Sequence, residues 1–297
     1  TRAYWVPGRI EFLGKHTDYG GGRSLLAAIE RGICLVAAPR ADDLIRLHDI
    51  RSGEVAVCAL SPSAAPVPGH WSNYPQAVAR RIARNFPGAR RGADIALASD
   101  LPQAAGVSSS SALVVAVFLA LADANDLATR QEYRRNIPDE DALADYLGAV
   151  ENGNAFADLS GDMGVGTAGG SQDHTAILRS RPGALVQYSF IPTRLEQAVA
   201  APDRYRFVIA SGGIVAEKTG AARARYNAAS AAVAAILDQW RRVSGRDDRS
   251  LAAAVASAPD AGDRIRAAIR SPSGTRLEAG TMVDRFEQFQ TESGMVV

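Results

Sequence analysis

Residues 112–122 (Ala-Leu-Val-Val-Ala-Val-Phe-Leu-Ala-Leu-Ala) form the longest apolar run of the chain. The run falls well short of the ~20 residues that a bilayer span needs. It reads as a helix that is apolar nearly all round and therefore fully buried. Such a helix needs cover on every side. A chain of 297 residues, 47% of them hydrophobic, can provide it, being long enough for one large domain or two modest ones with real cores. Before the run stands Leu101-Pro102-Gln103-Ala104-Ala105-Gly106-Val107-Ser108-Ser109-Ser110-Ser111, and before that residues 93–99 alternate as a strand does.

Strand, glycine-serine loop and buried helix aim backbone N–H groups and a positive helix end at one spot, which makes an anion site. Gly106 lets the backbone approach a phosphate closely. The serine hydroxyls can donate to phosphate or sit on Mg²⁺. This is not the common phosphate loop, because no Gly-Lys-Ser/Thr follows the glycine. Taken alone, the segment is equally well a serine-rich N-cap leading into a core helix.

A second polar loop lies far upstream: Pro7-Gly8-Arg9-Ile10-Glu11-Phe12-Leu13-Gly14-Lys15-His16-Thr17-Asp18-Tyr19, then Gly20-Gly21-Gly22. Lys15, His16 and Asp18 bunch donors and acceptors on a turn, as a hydroxyl-rich ligand requires. A polar surface turn would look the same.

The formal net charge is +1, which gives no global electrostatic case for nucleic acid or a membrane surface. Cys34 and Cys58 sit in apolar runs, so a buried reduced pair and a cytoplasmic home are expected. No signal peptide opens the sequence. Of the 33 basic residues only Lys15 and Lys218 are lysines, and each falls inside a polar motif. Arginine is a planar fork and lysine a compact point charge, so both positions are candidates for function.

Residues 32–40, 44–48, 54–60, 184–190 and 206–210 read as strands, and 74–85, 141–151 and 219–242 as helices. Arg80, Arg81, Arg84, Arg90 and Arg91 read as a solvated basic face. The glycine-rich stretch 160–170 is expected to be mobile. Near residue 200 the texture changes from mixed strand and helix to mostly helix, which places a domain boundary there.

As an ordered set the two loops resemble the GHMP kinase superfamily, and galactokinase-like sugar 1-kinases within it. Trp71-Ser72-Asn73-Tyr74 is similar to the family's Trp-x-Asn-Tyr beside the nucleotide. Ala28-Ile29-Glu30-Arg31-Gly32 and Ala38-Pro39-Arg40 match the strand region after the sugar loop. Gly169-Gly170-Ser171-Gln172-Asp173 looks like the catalytic-aspartate loop, in a Gln-Asp form closer to heptose, fucose and glucuronate kinases. The resemblance implies an α+β, two-domain fold. A ribosomal S5 domain 2-like N-terminal domain would span residues 1–200, and a ferredoxin-like C-terminal domain, apparently incomplete, residues 201–297.

It also implies roles. Asp173 would take or orient the proton of the attacking sugar hydroxyl, with Arg9 beside it to stabilise charge on the transferring phosphoryl. Glu151 and Ser109 would hold Mg²⁺. Trp71 would pack near the adenine of ATP, and Gly106, Ser108, Ser109, Ser110 and Ser111 would cradle its phosphates. His16, Asp18, Gly170 and Tyr226 would face the sugar, while His174 would only pack. Galactokinases carry Asn and Glu where this chain has Glu11 and Lys15. Lysine cannot accept a hydrogen bond from a terminal hydroxyl but suits an anion, so a heptose or octose phosphate or a uronic acid is the expected acceptor. Plain galactose is the alternative, with Lys15 turned to solvent. The family's third, glycine-rich motif is not found before Val297, so a truncated chain is expected, and a non-catalytic sugar sensor is the rival of another class. The expected partner is a small-molecule sugar or sugar phosphate. A serine hydrolase is disfavoured, because no Gly-x-Ser-x-Gly elbow is found.

Overall fold

The computed structural model describes residues 1–102, 105–202, 204, 207–209, 220–271 and 277–296. Within the helix that opens at residue 220, the side chains of 220–223, 225 and 226 lie outside the description. The chain begins with two long strands, β1 (Arg2–Leu13) and β2 (Arg23–Pro39), followed by β3 (Leu44–Asp49) and β4 (Val55–Ala59). Next come α1 (Asn73–Asn85), β5 (Ala93–Ser99), α2 (Ser109–Ala124), α3 (Gln131–Asn136), α4 (Glu140–Asn152) and α5 (Gln172–Arg179). After these follow β6 (Ala184–Ser189), β7 (Arg194–Ala200), α6 (Gly220–Ser244), α7 (Leu251–Val255), α8 (Ala261–Arg270) and α9 (Ala279–Met295).

The strands make one mixed sheet, with β3 and β5 parallel and the other pairs antiparallel. Residues 33–37 of β2 pair with β1 and β5 at once, and Leu25 and Leu26 pair with β1 and β6 at once. Hence β5 and β6 share the edge of β2 opposite β1, and the sheet splits between them. One face of the sheet covers α2, whose Ala112, Val114, Val115, Ala116, Val117 and Phe118 are buried, as the unbroken apolar run requires. The other face leaves Trp5, Val36 and Cys34 exposed. Both cysteines are free, but Cys34 is not buried: the two-residue period of β2 turns it to the open face.

Two expectations are corrected. Pro7–Leu13 is not loop but strand, interrupted by irregularities between Pro7 and Arg9 and between Glu11 and Leu13. Such bulges bend a strand and re-aim its side chains. Nor are Arg80 and Arg81 solvated: they are 1% and 0% exposed. Arg80 Nε donates to Asp162 at 2.7 Å and Nη2 to Gly164 O at 2.9 Å, while Asn85 Nδ2 donates to Ser160 O at 3.0 Å. Helix α1 thereby pins the 160–170 stretch that the glycine content suggested was loose. Arg84, Arg90 and Arg91 are exposed, as read.

A second core joins Val233, Ile236 and Trp240 of α6 to Ile265 and Ile269 of α8 and Met282, Phe286 and Phe289 of α9. The described residues after 200 contain helices alone, so the strands of a ferredoxin-like unit are not among them. Arg206 and Ala210 lie outside the described residues, and 207–209 between them form no strand. Lys218 and the start of the 219–242 helix also lie outside the description. Among the described residues no helix is long and apolar enough to cross a membrane.

Candidate active site

Strand β1, the serine loop and the first turn of α5 meet at Asp173. Gly8 permits the meeting: a Cβ there would lie 2.6 Å from Leu101 Cδ2 and 2.9 Å from Val107 O. The next residue fastens the two segments, Arg9 N donating to Val107 O at 3.1 Å. Its guanidinium then bridges across. Nε and Nη2 donate to Asp173 Oδ1 at 2.8 and 2.5 Å, and Nη1 donates to Gly106 O at 2.7 Å. Asp173 stands in the first turn of its helix, where a negative charge is favoured.

The other carboxylate oxygen faces the serine loop. Ser108 adopts a left-handed backbone (φ 57°) ahead of α2 and caps nothing in that helix. Its hydroxyl donates instead to Asp173 Oδ2 at 2.5 Å. The plain capping reading therefore does not describe what Ser108 does. Gly106 is left-handed too (φ 72°), is exposed, and has open space where a Cβ would point. Ser109 and Ser110 are half-buried at the helix start. Open space and a helix N-terminus are what a phosphate group needs.

One turn after Ser108, Ser111 is 1% exposed and donates to Glu151 Oε2 at 2.9 Å, with Asp173 Oδ2 3.4 Å from the same hydroxyl. Ser111, not Ser109, thus meets Glu151, because residues three apart share a helix face. Among the described residues no three His, Cys, Asp or Glu side chains gather as a metal site. Ser111, Glu151 and Asp173 nevertheless offer hard oxygen donors, which fit a Mg²⁺ ion that keeps most of its ligands as water and phosphate. His174, 2% exposed, brings Nε2 within 3.1 Å of Glu151 Oε2 but outside hydrogen-bond geometry.

The turn at residues 14–22 also lies close to Asp173, near enough for His16 and Asp18 to feel its charge. Gly14 (φ 86°) allows the turn, since a Cβ there would sit 2.1 Å from Arg23 O. Thr17 Oγ1 lies 2.9 Å from Gly14 O and 2.8 Å from Arg23 O, closing the turn from inside. Asp18 is buried and accepts from Gln172 N at 3.2 Å. Gly170 must be glycine, because a Cβ would fall 2.3 Å from Asp18 Oδ2. Burial pushes the Asp18 carboxyl up to about 6, with Asp173 adding to the push and the Gln172 N–H opposing it. Burial, with Lys15 and Arg285, holds His16 down to about 4. Glu11 is pushed up to about 7, first by burial, against the opposing Gln172 and Arg9. Its Oε1 is buried with no hydrogen-bond partner. Lys15 is exposed.

Trp71 stands apart from this cluster, before α1, with Nε1 donating to Glu54 Oε2 at 2.5 Å and His70 packed beside it. The Tyr226 side chain lies outside the described residues. Its neighbour Asn227, given no role by the sequence reading, accepts from Ala168 N at 2.9 Å and donates to Gly166 O at 3.0 Å, holding the loop that leads to Asp173. Asn152 holds the same loop by exchanging bonds of 2.8 Å with Gly169 N and O. Glu11 was legible as a departure but had no assigned role. Nothing in the sequence marked Asn152 or the polar face of α9.

Residues 73–181 match the model of the GHMP kinases N terminal domain, and residues 2–39 the galactokinase galactose-binding signature. A galactokinase from Actinobacillus pleuropneumoniae serotype 5b (strain L20) is 34% identical over 113 residues, which are 38% of this chain and 29% of the relative. A galactokinase from Chloroflexus aurantiacus is 37% identical over 118 residues, 39% of this chain and 30% of that one. The chain therefore matches about three tenths of the length of these curated relatives. The crystal structure of Lactococcus lactis galactokinase complexed with galactose superposes on 99% of this chain and 67% of its own, with a TM-score of 0.70 and 20% identity, a likeness of fold. Over its GHMP kinase N-terminal domain match and its galactose-binding signature, this chain is similar to the galactokinases of the GHMP kinase superfamily.

Proposed function

We propose that this protein is an ATP-dependent sugar kinase that phosphorylates the anomeric hydroxyl, giving a sugar 1-phosphate, on a sugar with a distal anionic group such as a heptose or octose phosphate or a uronic acid. The observation that carries the reading is the Asp173 carboxylate, held by Arg9 on one oxygen and Ser108 on the other, beside the open N-terminus of α2. In phosphoryl transfer the protein mainly positions groups and offsets charge. Asp173 accepts or orients the hydroxyl proton of the sugar. The Arg9 guanidinium stands ready for charge on the phosphoryl oxygens. Ser111 and Glu151 would hold Mg²⁺, which bridges and neutralises phosphate oxygens when bound. The α2 N-terminus with Ser109 and Ser110 receives the phosphates of ATP, and Trp71 offers a flat apolar face near the base.

His16 and Asp18 take the sugar hydroxyls, with Gly170 and Tyr226 closing round the ring. Lys15, exposed at the loop tip, pairs with the distal anion. We keep the domain limits as residues 1–200 and 201–297, with ATP and sugar meeting between them, and a cytoplasmic location. A second reading, galactose itself as acceptor, is favoured by the galactose-binding signature over residues 2–39. Phosphorus NMR of the product tests the shared part of both readings. An anomeric phosphate that appears with wild type and not with Asp173→Asn supports them. A phosphate on another hydroxyl, or equal product from Asp173→Asn, contradicts them.

A further inference from the structure

One face of α9 carries Arg285, Gln288 and Glu292, spaced so that they line up along the helix. All three read the backbone of the sugar loop. Arg285 Nη2 donates to His16 O at 2.5 Å, Gln288 Nε2 donates to Lys15 O at 2.9 Å, and Lys15 N donates to Glu292 Oε2 at 3.2 Å. Arg285 Nη2 also donates to the Tyr19 hydroxyl, and its guanidinium lies 5.3 Å from the Tyr19 ring centroid. Phe289 on the same helix fills the space that Gly20 and Gly22 leave, where a Cβ would stand 2.6 and 3.0 Å from its ring. His16 meanwhile holds a left-handed backbone (φ 57°), a conformation unfavourable for a residue with a Cβ. Something must hold it there, and the bond from Arg285 to the His16 carbonyl is placed to do so.

We infer that Arg285 is a positioning residue of the acceptor site, fixing the loop in the shape that presents His16 and Asp18 to the sugar. The inference rests on the sugar-kinase reading for its consequence, but not for its geometry. Arg285 also acts by charge. The charged groups that face the His16 ring are Lys15, Arg285 and Arg9, which disfavour its protonation, and Asp173, which favours it; Tyr19 stacks on it. The imidazole therefore stays neutral at pH 7, with one ring nitrogen donating and the other accepting, which suits a sugar hydroxyl. The sugar loop thus depends on a side chain 269 residues further along the chain.

The test compares Arg285→Gln, Arg285→Lys and a control, Arg266→Gln. Arg266 bonds Glu287 and Gln290 on α9 and Asp263 on its own helix, away from the loop. Steady-state kinetics with the accepted sugar are paired with NMR titration of the His16 ring in the sugar-free protein. Arg285→Gln is expected to raise KM about tenfold with little change in kcat, as loss of one charge-assisted bond predicts, and to move the His16 titration upward. Arg285→Lys keeps the low His16 titration and recovers part of KM. Arg266→Gln lowers the melting temperature and leaves KM and His16 alone. An unmoved KM and unmoved His16 in Arg285→Gln would overturn the inference, as would Arg266→Gln raising KM equally. If wild type turns over no sugar, the kinase reading falls by itself, and the sugar-free His16 titration still decides whether Arg285 governs the loop.

Discussion

The Asp173 cluster and the turn around Asp18 lie side by side, yet they are held by different means. Around Asp173 each carboxylate oxygen has a partner, supplied by a bulged strand and a helix start that carry their own backbone order. Around Asp18 the backbone is left-handed at Gly14 and His16, and two carboxyls are pushed upward by burial. One oxygen of Glu11 has no partner, and the clamp comes from a distant helix. Chemistry common to all phosphoryl transfer can rest on a rigid, fully paired frame. On the proposed function, choice of sugar would be made on the part whose shape is least determined by its own residues.

The largest expected effect breaks the first region alone. Asp173→Asn should lower kcat about 10³-fold, the scale of a lost proton acceptor, and leave KM within a few-fold. A KM effect of the same size would mean that Asp173 mainly binds the substrate. Next, Arg80→Met removes one partner of a buried ion pair whose side chains are each 2% exposed, and should cost about 4 kcal/mol in urea unfolding. A loss under about 1 kcal/mol would show that the 160–170 stretch does not need its pin.

How much of this was legible follows the same division. Arg9, Asp173 and Glu151 could be named as candidates because the resemblance rests on short stretches of strand and helix, and the structure brings Arg9 to Asp173 and Ser111 to Glu151. Which serine meets Glu151 was not, since four serines in a row are alike until a helix sets their phase. Ser108 and Ser111 then face Asp173 together. Burial of Arg80 and Arg81 was hidden because their partners, Asp162 and the carbonyls of Asn154 and Gly164, lie some eighty residues away. The bulges of β1 depend on pairing with β2, and the α9 clamp on docking of a helix whose own pattern shows only a core face. The buried α2 was legible from its apolar content, whereas the α+β class came from the resemblance carried by the two loops.

Two smaller perturbations sharpen the contrast within the loop. Gly170→Ala places a methyl against Asp18 and should raise the sugar KM about tenfold while kcat holds, because a misplaced binding group costs affinity before chemistry. An equal fall in kcat would place Gly170 in the transfer centre instead. Glu11→Gln reads the pH dependence. A carboxyl raised from 4.5 to about 7 keeps its proton in the folded state, so folding stability is present below about 4.5 and falls as pH rises through 7. Asp18 acts with the same sign between 3.8 and about 6. His16 acts with the opposite sign, costing stability as pH falls from 6.5 through about 4. The Gln variant should therefore be about 2 kcal/mol more stable than wild type at pH 8, with the gain shrinking toward pH 5. A constant difference across that range would show that Glu11 is already ionised.

The most direct test of the account is ADP release with ATP and Mg²⁺ over galactose, glucuronate, galacturonate and heptose 7-phosphate, with Lys15→Glu run in parallel. The account predicts turnover on an anionic sugar and its loss in Lys15→Glu. Turnover on galactose, indifferent to Lys15, would contradict the anionic acceptor and leave a divergent galactokinase, and sugar binding with no ADP from any of the four would contradict the kinase itself and favour a sensor.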